Sequence, residues 1–232
     1  MSRSYGQFCP VAKAAEILAE RWTPLVVREL LCGSRRFNDI RRGVPQMSPT
    51  LLSQRLRTLE EEGLVERGPV AGDTVVEYRL TPAGQALQPV IEGLGTWGKR
   101  WVRREIRSEE LDAGLLMWDI HRRLRLDRVP EGRTVLRFEL TDRPSKQRFY
   151  WLVIEQNRVD ICLKDPGFEV DLYIGADLRT LTGIWLGDVA FESALHEGWL
   201  TLHGPRYLVR RFRSWLALSV FAHIERKPDQ AG

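Results

Sequence analysis

Ser48-Pro49-Thr50-Leu51-Leu52-Ser53-Gln54-Arg55-Leu56-Arg57-Thr58-Leu59-Glu60-Glu61-Glu62-Gly63 is the stretch on which the reading of the first half of the chain turns. A serine whose oxygen can accept a backbone N–H, followed by proline at the first helical position, starts a helix. A glycine free to take positive φ ends one. The stretch therefore predicts a helix capped by Ser48 and running to Glu62. Leu52, Leu56 and Leu59 fall within about 60° of one another at the helical repeat and mark its buried side. Thr50, Ser53, Gln54 and Arg57 fall on the opposite side. Hydroxyl, amide and guanidinium groups near a helix N-terminus suit base edges and phosphates, Gln54 an adenine and Arg57 a guanine or a phosphate. The neighbouring segments decide between that use and an ordinary solvated face.

Toward the N-terminus, a short helix is predicted over Arg36 to Arg42, stopped by Gly43 ahead of Pro45. Before it, Thr23 as cap and Pro24 as first residue open a helix to Cys32, closed by Gly33. From Pro10 to Ala19, Val11, Ala14, Ala15 and Leu18 form one apolar helical stripe. Toward the C-terminus, Leu64–Arg67 reads as a strand, Gly68–Asp73 as a turn and Val75–Leu80 as a second strand. Helix, turn, recognition helix and β-hairpin in that order make a winged helix. Its wing is expected to bring Arg67 and Arg79 beside one surface, where they would contact phosphates, so Ser48, Thr50, Ser53, Gln54, Arg57, Arg67 and Arg79 form the expected interface with double-stranded DNA. Thr81-Pro82 then opens one long helix with Leu87, Val90, Ile91, Leu94, Trp97 and Trp101 along a stripe. A stripe of that length exceeds what a small domain needs for its own core and points to a homodimer contact.

Composition agrees with a globular chain. Of its 232 residues, 43% are hydrophobic and 28% charged, enough to bury two cores and too ordered a mixture for a disordered chain. No apolar run is long enough to span a bilayer and the N-terminus lacks a secretory pattern, so a cytoplasmic location and no membrane partner are expected. Residues 1–107 hold 17 Lys/Arg against 12 Asp/Glu, residues 108–232 hold 18 against 19, so the basic excess sits in the first part. Cys9, Cys32 and Cys162 are widely separated and the four histidines scattered, which argues against a disulfide framework or a structural zinc. Gly93-Leu94-Gly95-Thr96-Trp97-Gly98 matches the dinucleotide fingerprint G-x-G-x-x-G but lies inside a helical pattern, so no cofactor is expected.

Cys9-Pro10-Val11, Arg21-Trp22-Thr23, Arg28-Glu29-Leu30, Arg36-Phe37-Asn38-Asp39-Ile40, Ser48-Pro49, Leu52-Ser53-Gln54-Arg55-Leu56, Glu61-Glu62-Gly63-Leu64-Val65 and Tyr78-Arg79-Leu80-Thr81-Pro82-Ala83-Gly84 closely resemble the HxlR family of bacterial winged-helix transcriptional regulators. The resemblance covers residues 9–101 and implies a homodimer joined by N- and C-terminal helices, its paired recognition helices reading a pseudo-palindromic operator. Some members of that family sense oxidants or electrophiles through a cysteine near the N-terminus. The resemblance thus makes Cys9 a redox candidate, with an inert helix-start cysteine as the plainer reading.

Beyond residue 107 the pattern changes. Leu115, Leu116, Trp118, Ile120 and Leu124 predict a helix closing near Asp127. Period-two alternation then predicts strands through Leu136–Leu140, Val159–Leu163 and Val170–Ile174, with Phe149–Ile154, apolar on both faces, as a central strand. Asp177 is expected to cap a helix to Leu186 and Asp188 a second helix to Gly198, followed by a strand Trp199–His203 and a helix from Pro205 through Trp215. The order predicts an α+β layer with a five-stranded sheet. With Trp185-Leu186-Gly187-Asp188, Ala194, Gly198-Trp199-Leu200 and Gly204-Pro205, residues 113–215 loosely resemble the sterol carrier protein 2 (SCP2) family. That resemblance implies a hydrophobic tunnel for a lipophilic small-molecule effector, with Trp118, Phe138, Trp151, Trp185 and Trp199 as its expected lining and plain core packing as the alternative. The expected organisation is a DNA-binding and dimerisation domain over 1–107 and an SCP2-like sensing domain over 108–232. A dimerisation or partner module without a ligand is the competing reading of the second half. No nucleophile–base pair, paired acids or metal spacing supports an enzyme.

Overall fold

The computed structural model describes residues 4–69, 75–102 and 105–225. They form two compact units that divide between Gly98 and Lys99. The first unit holds α1 (Pro10–Leu18), α2 (Thr23–Leu31), α3 (Phe37–Gly43), α4 (Pro49–Glu61), an antiparallel hairpin of β1 (Val65–Pro69) and β2 (Val76–Leu80), α5 (Pro82–Gln85) and most of α6 (Gln88–Trp101). Val26, Val27 and Leu30 of α2, Ile40 of α3, Leu52, Leu56 and Leu59 of α4, Val65 of β1 and Ile91 of α6 form its core. Each side chain so enclosed contributes roughly 1.5–3 kcal/mol over its exposed state. The helical repeat of the three α4 leucines thus fixes which side of that helix faces solvent.

Two helix starts differ from the sequence expectation. Thr23 is the first helical residue of α2 and is buried, while Trp22 stands at the cap position in left-handed backbone (φ +77°). Packing of the Trp22 ring against the core sets this turn and overrides the capping preference of threonine. The long helix expected after Thr81 is broken into α5 and α6. Pro89 lacks the N–H that would bond Gln85 and its ring crowds that carbonyl, so the chain restarts as a new helix. The expected Gly68–Asp73 turn falls largely outside the described residues.

The second unit contains a 3₁₀ turn at Ser108–Glu110, α7 (Ala113–His121), a 3₁₀ turn at Leu126–Arg128, β3 (Thr134–Leu140), α8 (Ser145–Arg148), β4 (Phe149–Glu155), β5 (Arg158–Cys162), β6 (Leu172–Ala176), α9 (Leu178–Leu186), α10 (Phe191–His196), β7 (Leu200–His203) and α11 (Arg206–Trp215). The five strands lie in the order β5-β4-β3-β6-β7, with β3 and β6 parallel and the other pairs antiparallel. β4 is internal, as its two apolar faces require, but β3 holds the centre. Gln156 and Asn157 both take positive φ in the β4–β5 turn, the conformation a tight two-residue hairpin demands.

Leu136, Phe138 and Leu140 of β3 and Tyr150, Leu152 and Ile154 of β4 share one core with residues of α7, α9, α10 and α11. The helices therefore cover one face of the sheet. Asp177 caps α9 as expected, its carboxylate accepting from the Thr180 N–H at 2.9 Å. Asp188 does not cap α10, whose cap position is Ala190. Gly187 in left-handed backbone closes α9, and the N–H groups of Asp188 and Val189 donate to the Gly183 carbonyl at 2.8 and 3.1 Å, so Asp188 belongs to the end of the preceding helix.

Candidate nucleic-acid interface

Ser48 Oγ accepts the Leu51 N–H at 3.3 Å and so satisfies one orphan donor at the start of α4. Arg55, on the flank of α4, donates to Glu20 at 2.7 Å and to the Arg21 carbonyl at 3.3 Å, tying the helix to the turn between α1 and α2. At its far end the Leu64 N–H reaches the Leu59 carbonyl at 2.9 Å, and Thr81 Oγ1 donates to the Gly63 carbonyl at 2.7 Å. The wing root and the end of α4 are thereby one piece. The Tyr78 N–H donates to the Arg35 carbonyl at 2.8 Å, joining the wing to the loop ahead of α3.

The packing of α2 against α3 is fixed by a buried carboxylate. Glu29 is fully enclosed and accepts from Arg28 at 2.7 and 3.1 Å and from Ser34 Oγ at 3.3 Å. Arg28 also donates to the Gly43 carbonyl at 2.8 Å. A Cβ on Gly43 would lie 1.8 Å from the Glu29 carboxylate carbon, so only glycine lets α3 end there.

On this frame Ser48, Thr50, Ser53, Gln54 and Arg57 are all exposed, and Arg57 has no ion pair among the described residues. Gln54 stands at the edge of the face, bordering a surface cleft it shares with Glu16, Glu20, Glu61 and Glu62. Glu16 and Glu20 are paired there with Lys13 and Arg55, which leaves Glu61 and Glu62 as the acids of that cleft without an ion pair among the described residues. The hairpin register corrects the expectation for the wing. Arg67 faces Tyr78 and Arg79 faces Glu66 across the strands, so the two arginines lie on opposite faces of the ribbon, because adjacent positions alternate. Arg79 is further held by Glu77 at 2.9 Å, while Arg67 remains exposed without an ion pair among the described residues. Sequence reasoning passed over Arg35 and Arg36. Both are exposed, and Arg35 lies where the wing joins the helices, a position no local pattern reveals.

Residues 17–106 match the profile of the HxlR-like helix-turn-helix family. The chain is 41% identical over 98 residues to the uncharacterized HTH-type transcriptional regulator YvaP of Bacillus subtilis, a match that takes in 41% of this chain and 91% of YvaP. The chain belongs to the HxlR-like family. The HTH-type regulator Rv3095 of Mycobacterium tuberculosis is 44% identical over 95 residues, which span 40% of this chain and 60% of Rv3095. Among solved structures, the reduced form of the transcriptional regulator YodB from B. subtilis is 32% identical, covering 43% of this chain and all of YodB, with a TM-score of 0.37.

In this HxlR-like chain Cys9 takes the cap position of α1, half-buried and without a side-chain capping bond. Cys162 is a poorer nucleophile, its thiol pushed above the ordinary value by burial and then by the Asp160 carboxylate. The Gly93–Gly98 fingerprint lies wholly within α6, with no strand leading into it. The residues expected to line a tunnel are spread apart. Phe138 and Trp185 belong to the core between sheet and helices, Trp118 is buried on α7 and stacked on His121, and Trp199 is 54% exposed. Trp151 lies on the opposite face of the sheet from Phe138, since it pairs with Arg137 while Phe138 pairs with Tyr150. These five side chains do not converge on one cavity. Among the described residues no helix is long and apolar enough to cross a membrane.

Proposed function

We propose that this DNA-binding transcriptional regulator acts as a homodimer that reads a pseudo-palindromic operator through α4, with the wing adding phosphate contacts. The observation that carries the reading is the exposed Thr50–Ser53–Arg57 face of a helix held along its flank by Arg55 and just past its C-terminal end by Thr81. Rigid placement matters, because base-edge hydrogen bonds discriminate only when the donor sits in a fixed register. Arg57→Ala is expected to weaken operator binding by about 1–3 kcal/mol and to relax the preference at one base position. Arg67→Ala, a phosphate contact, is expected to weaken binding to all sequences alike and to flatten the salt dependence. Fluorescence anisotropy on operator and scrambled duplexes, repeated across a salt series, measures both; an Arg57→Ala protein with undiminished, sequence-selective affinity would refute the assigned face.

Support for the homodimer comes from apolar surface that the described chain leaves in water. On α6, Val90, Leu94, Trp97 and Trp101 are 42–60% exposed, and on α1 Val11 is 75% exposed. Gly93 and Gly98 have nothing within 4 Å of where a Cβ would stand, leaving room for a second helix to approach. An exposed apolar stripe of this kind marks an interaction surface.

For the second unit we infer an SCP2-like layer that takes a lipophilic effector between its sheet and helices. The layering of α7, α9, α10 and α11 on one sheet face supports it; Phe138, Phe191, Phe212 and Trp215 pack ring against ring between the layers, so an effector there would have to displace them. The effector would act by preferring one of two dimer states, and its influence on DNA affinity is limited by that preference. Native mass spectrometry of gently purified protein distinguishes this from a partner module, which the exposed Trp199 and Tyr207 would favour. A co-purifying apolar molecule supports the effector, and its repeated absence together with no stabilisation by fatty acids supports the partner module.

A further inference from the structure

We propose that the face of the five-stranded sheet opposite the α7, α9, α10 and α11 layer carries a binding site for a small carboxylate, centred on Arg137. Arg137 stands on the middle strand β3, directly between Trp151 of β4 and Tyr173 of β6. Its guanidinium carbon lies 4.5 Å from the ring centre of Phe149, 5.5 Å from Tyr173 and 5.9 Å from Trp151. Those rings hold the guanidinium in place but accept none of its hydrogen bonds. Among the described residues Arg137 has neither an ion pair nor a hydrogen bond, and its Nε is buried without an acceptor. The nearby acid on the same strand, Glu139, is engaged by Arg148 at 3.1 Å, and Arg133 on the neighbouring edge is paired with Glu155 at 3.2 Å. Arg137 therefore keeps a half-buried positive charge with no acidic partner among the described residues.

A cleft of about 210 Å³ opens beside it, lined also by Glu139, Thr141, Tyr173, Gly175, Thr201 and His203. Gly175 forms its floor: a Cβ there would stand 2.6 Å from Thr201 Oγ1. The cleft is smaller than the roughly 300–1,000 Å³ of sites for drug-sized molecules, so its ligand is small. A planar guanidinium with its donors unspent matches a carboxylate in a paired, two-bond geometry, and the Tyr173 hydroxyl can add a donor, as can Thr201 by turning from the Gly175 carbonyl, to which it donates at a long 3.3 Å. With a single unpaired guanidinium and the Glu139 and Asp171 carboxylates on the same sheet face, a monoanion is favoured over a phosphate dianion, and the surrounding rings favour an apolar or aromatic body. The site lies on the other side of the sheet from Phe138 and is independent of the apolar effector proposed above.

Titration calorimetry of the full-length protein with sodium benzoate, sodium hexanoate, benzamide and inorganic phosphate tests the site. Benzoate or hexanoate is expected to bind saturably, with benzamide and phosphate at least about tenfold weaker. Arg137→Gln is expected to lose about tenfold or more in carboxylate affinity, and Thr201→Val, which preserves shape, a few-fold. Thermal unfolding of each variant identifies any loss due to misfolding, and Thr201→Val then carries the test. Absence of saturable binding by both carboxylates, equal binding of benzamide, stronger binding of phosphate, or undiminished binding by folded Arg137→Gln or, where that variant misfolds, by Thr201→Val would each overturn the proposal.

Discussion

Replacing Glu29 by alanine is expected to lower the stability of the winged-helix unit by about 1–3 kcal/mol, the range for leaving buried hydrogen-bonding partners unsatisfied. The carboxylate is fully enclosed, and Arg28, itself partly exposed, would keep its charge but lose both bonds that orient it. Ser34 would lose its acceptor, and the grip of Arg28 on the Gly43 carbonyl would loosen. Gly43→Ala attacks the same joint from the other side, pressing a methyl into the Glu29 carboxylate. Because the two substitutions share one contact, the double variant should fall well short of the sum of the singles. Urea unfolding of the full chain measures all three. A loss below about 1 kcal/mol for Glu29→Ala would mean that the joint relaxes without this carboxylate.

If α6 forms the proposed dimer interface, a charge placed at Leu94 or Trp97 is expected to leave the protein monomeric and to remove most of the operator affinity. Both side chains are more than half exposed in the single chain, so Leu94→Asp or Trp97→Glu leaves the monomer's own core intact. Buried in a dimer, a large aromatic near the interface centre contributes about 2–4 kcal/mol, and an unpaired charge there adds a desolvation cost. Loss of one half-site contact should then weaken DNA binding by about 30-fold or more, the factor equivalent to roughly 2 kcal/mol. Sedimentation velocity at micromolar protein gives the oligomeric state and anisotropy gives the affinity. A Trp97→Glu protein that stays dimeric and binds normally would exclude α6 as the interface.

Local chemistry made the central part of the fold legible. Ser48, Pro49 and Gly63 act within one helix, so the bounds of α4 could be read from their order, and the three leucines gave its buried side. The same reasoning failed where a distant contact or an overlooked residue decided the outcome. Trp22 packs into the core and moves the start of α2, and Pro89 splits a stripe whose apolar spacing was otherwise continuous. The faces of Arg67 and Arg79 depend on hairpin register, which the uncertain length of the turn left open. The parallel pairing of β3 with β6 joins segments more than thirty residues apart, and alternation along a strand is blind to its neighbours. Within the candidate interface, Thr50, Ser53 and Arg57 followed from the helical repeat. Arg35 came to light only through its bond to the wing, and Gln54 acquired its acidic neighbours only in three dimensions.

The most direct test of DNA reading by a symmetric pair of α4 helices is a hydroxyl-radical footprint on a genomic site recovered with the full-length protein. Two protected half-sites related by a dyad, their centres about one helical turn of 10–10.5 base pairs apart, are expected, with base selectivity in each reduced by Arg57→Ala. A single asymmetric patch, protection without sequence preference, or a pattern unchanged by Arg57→Ala would contradict it.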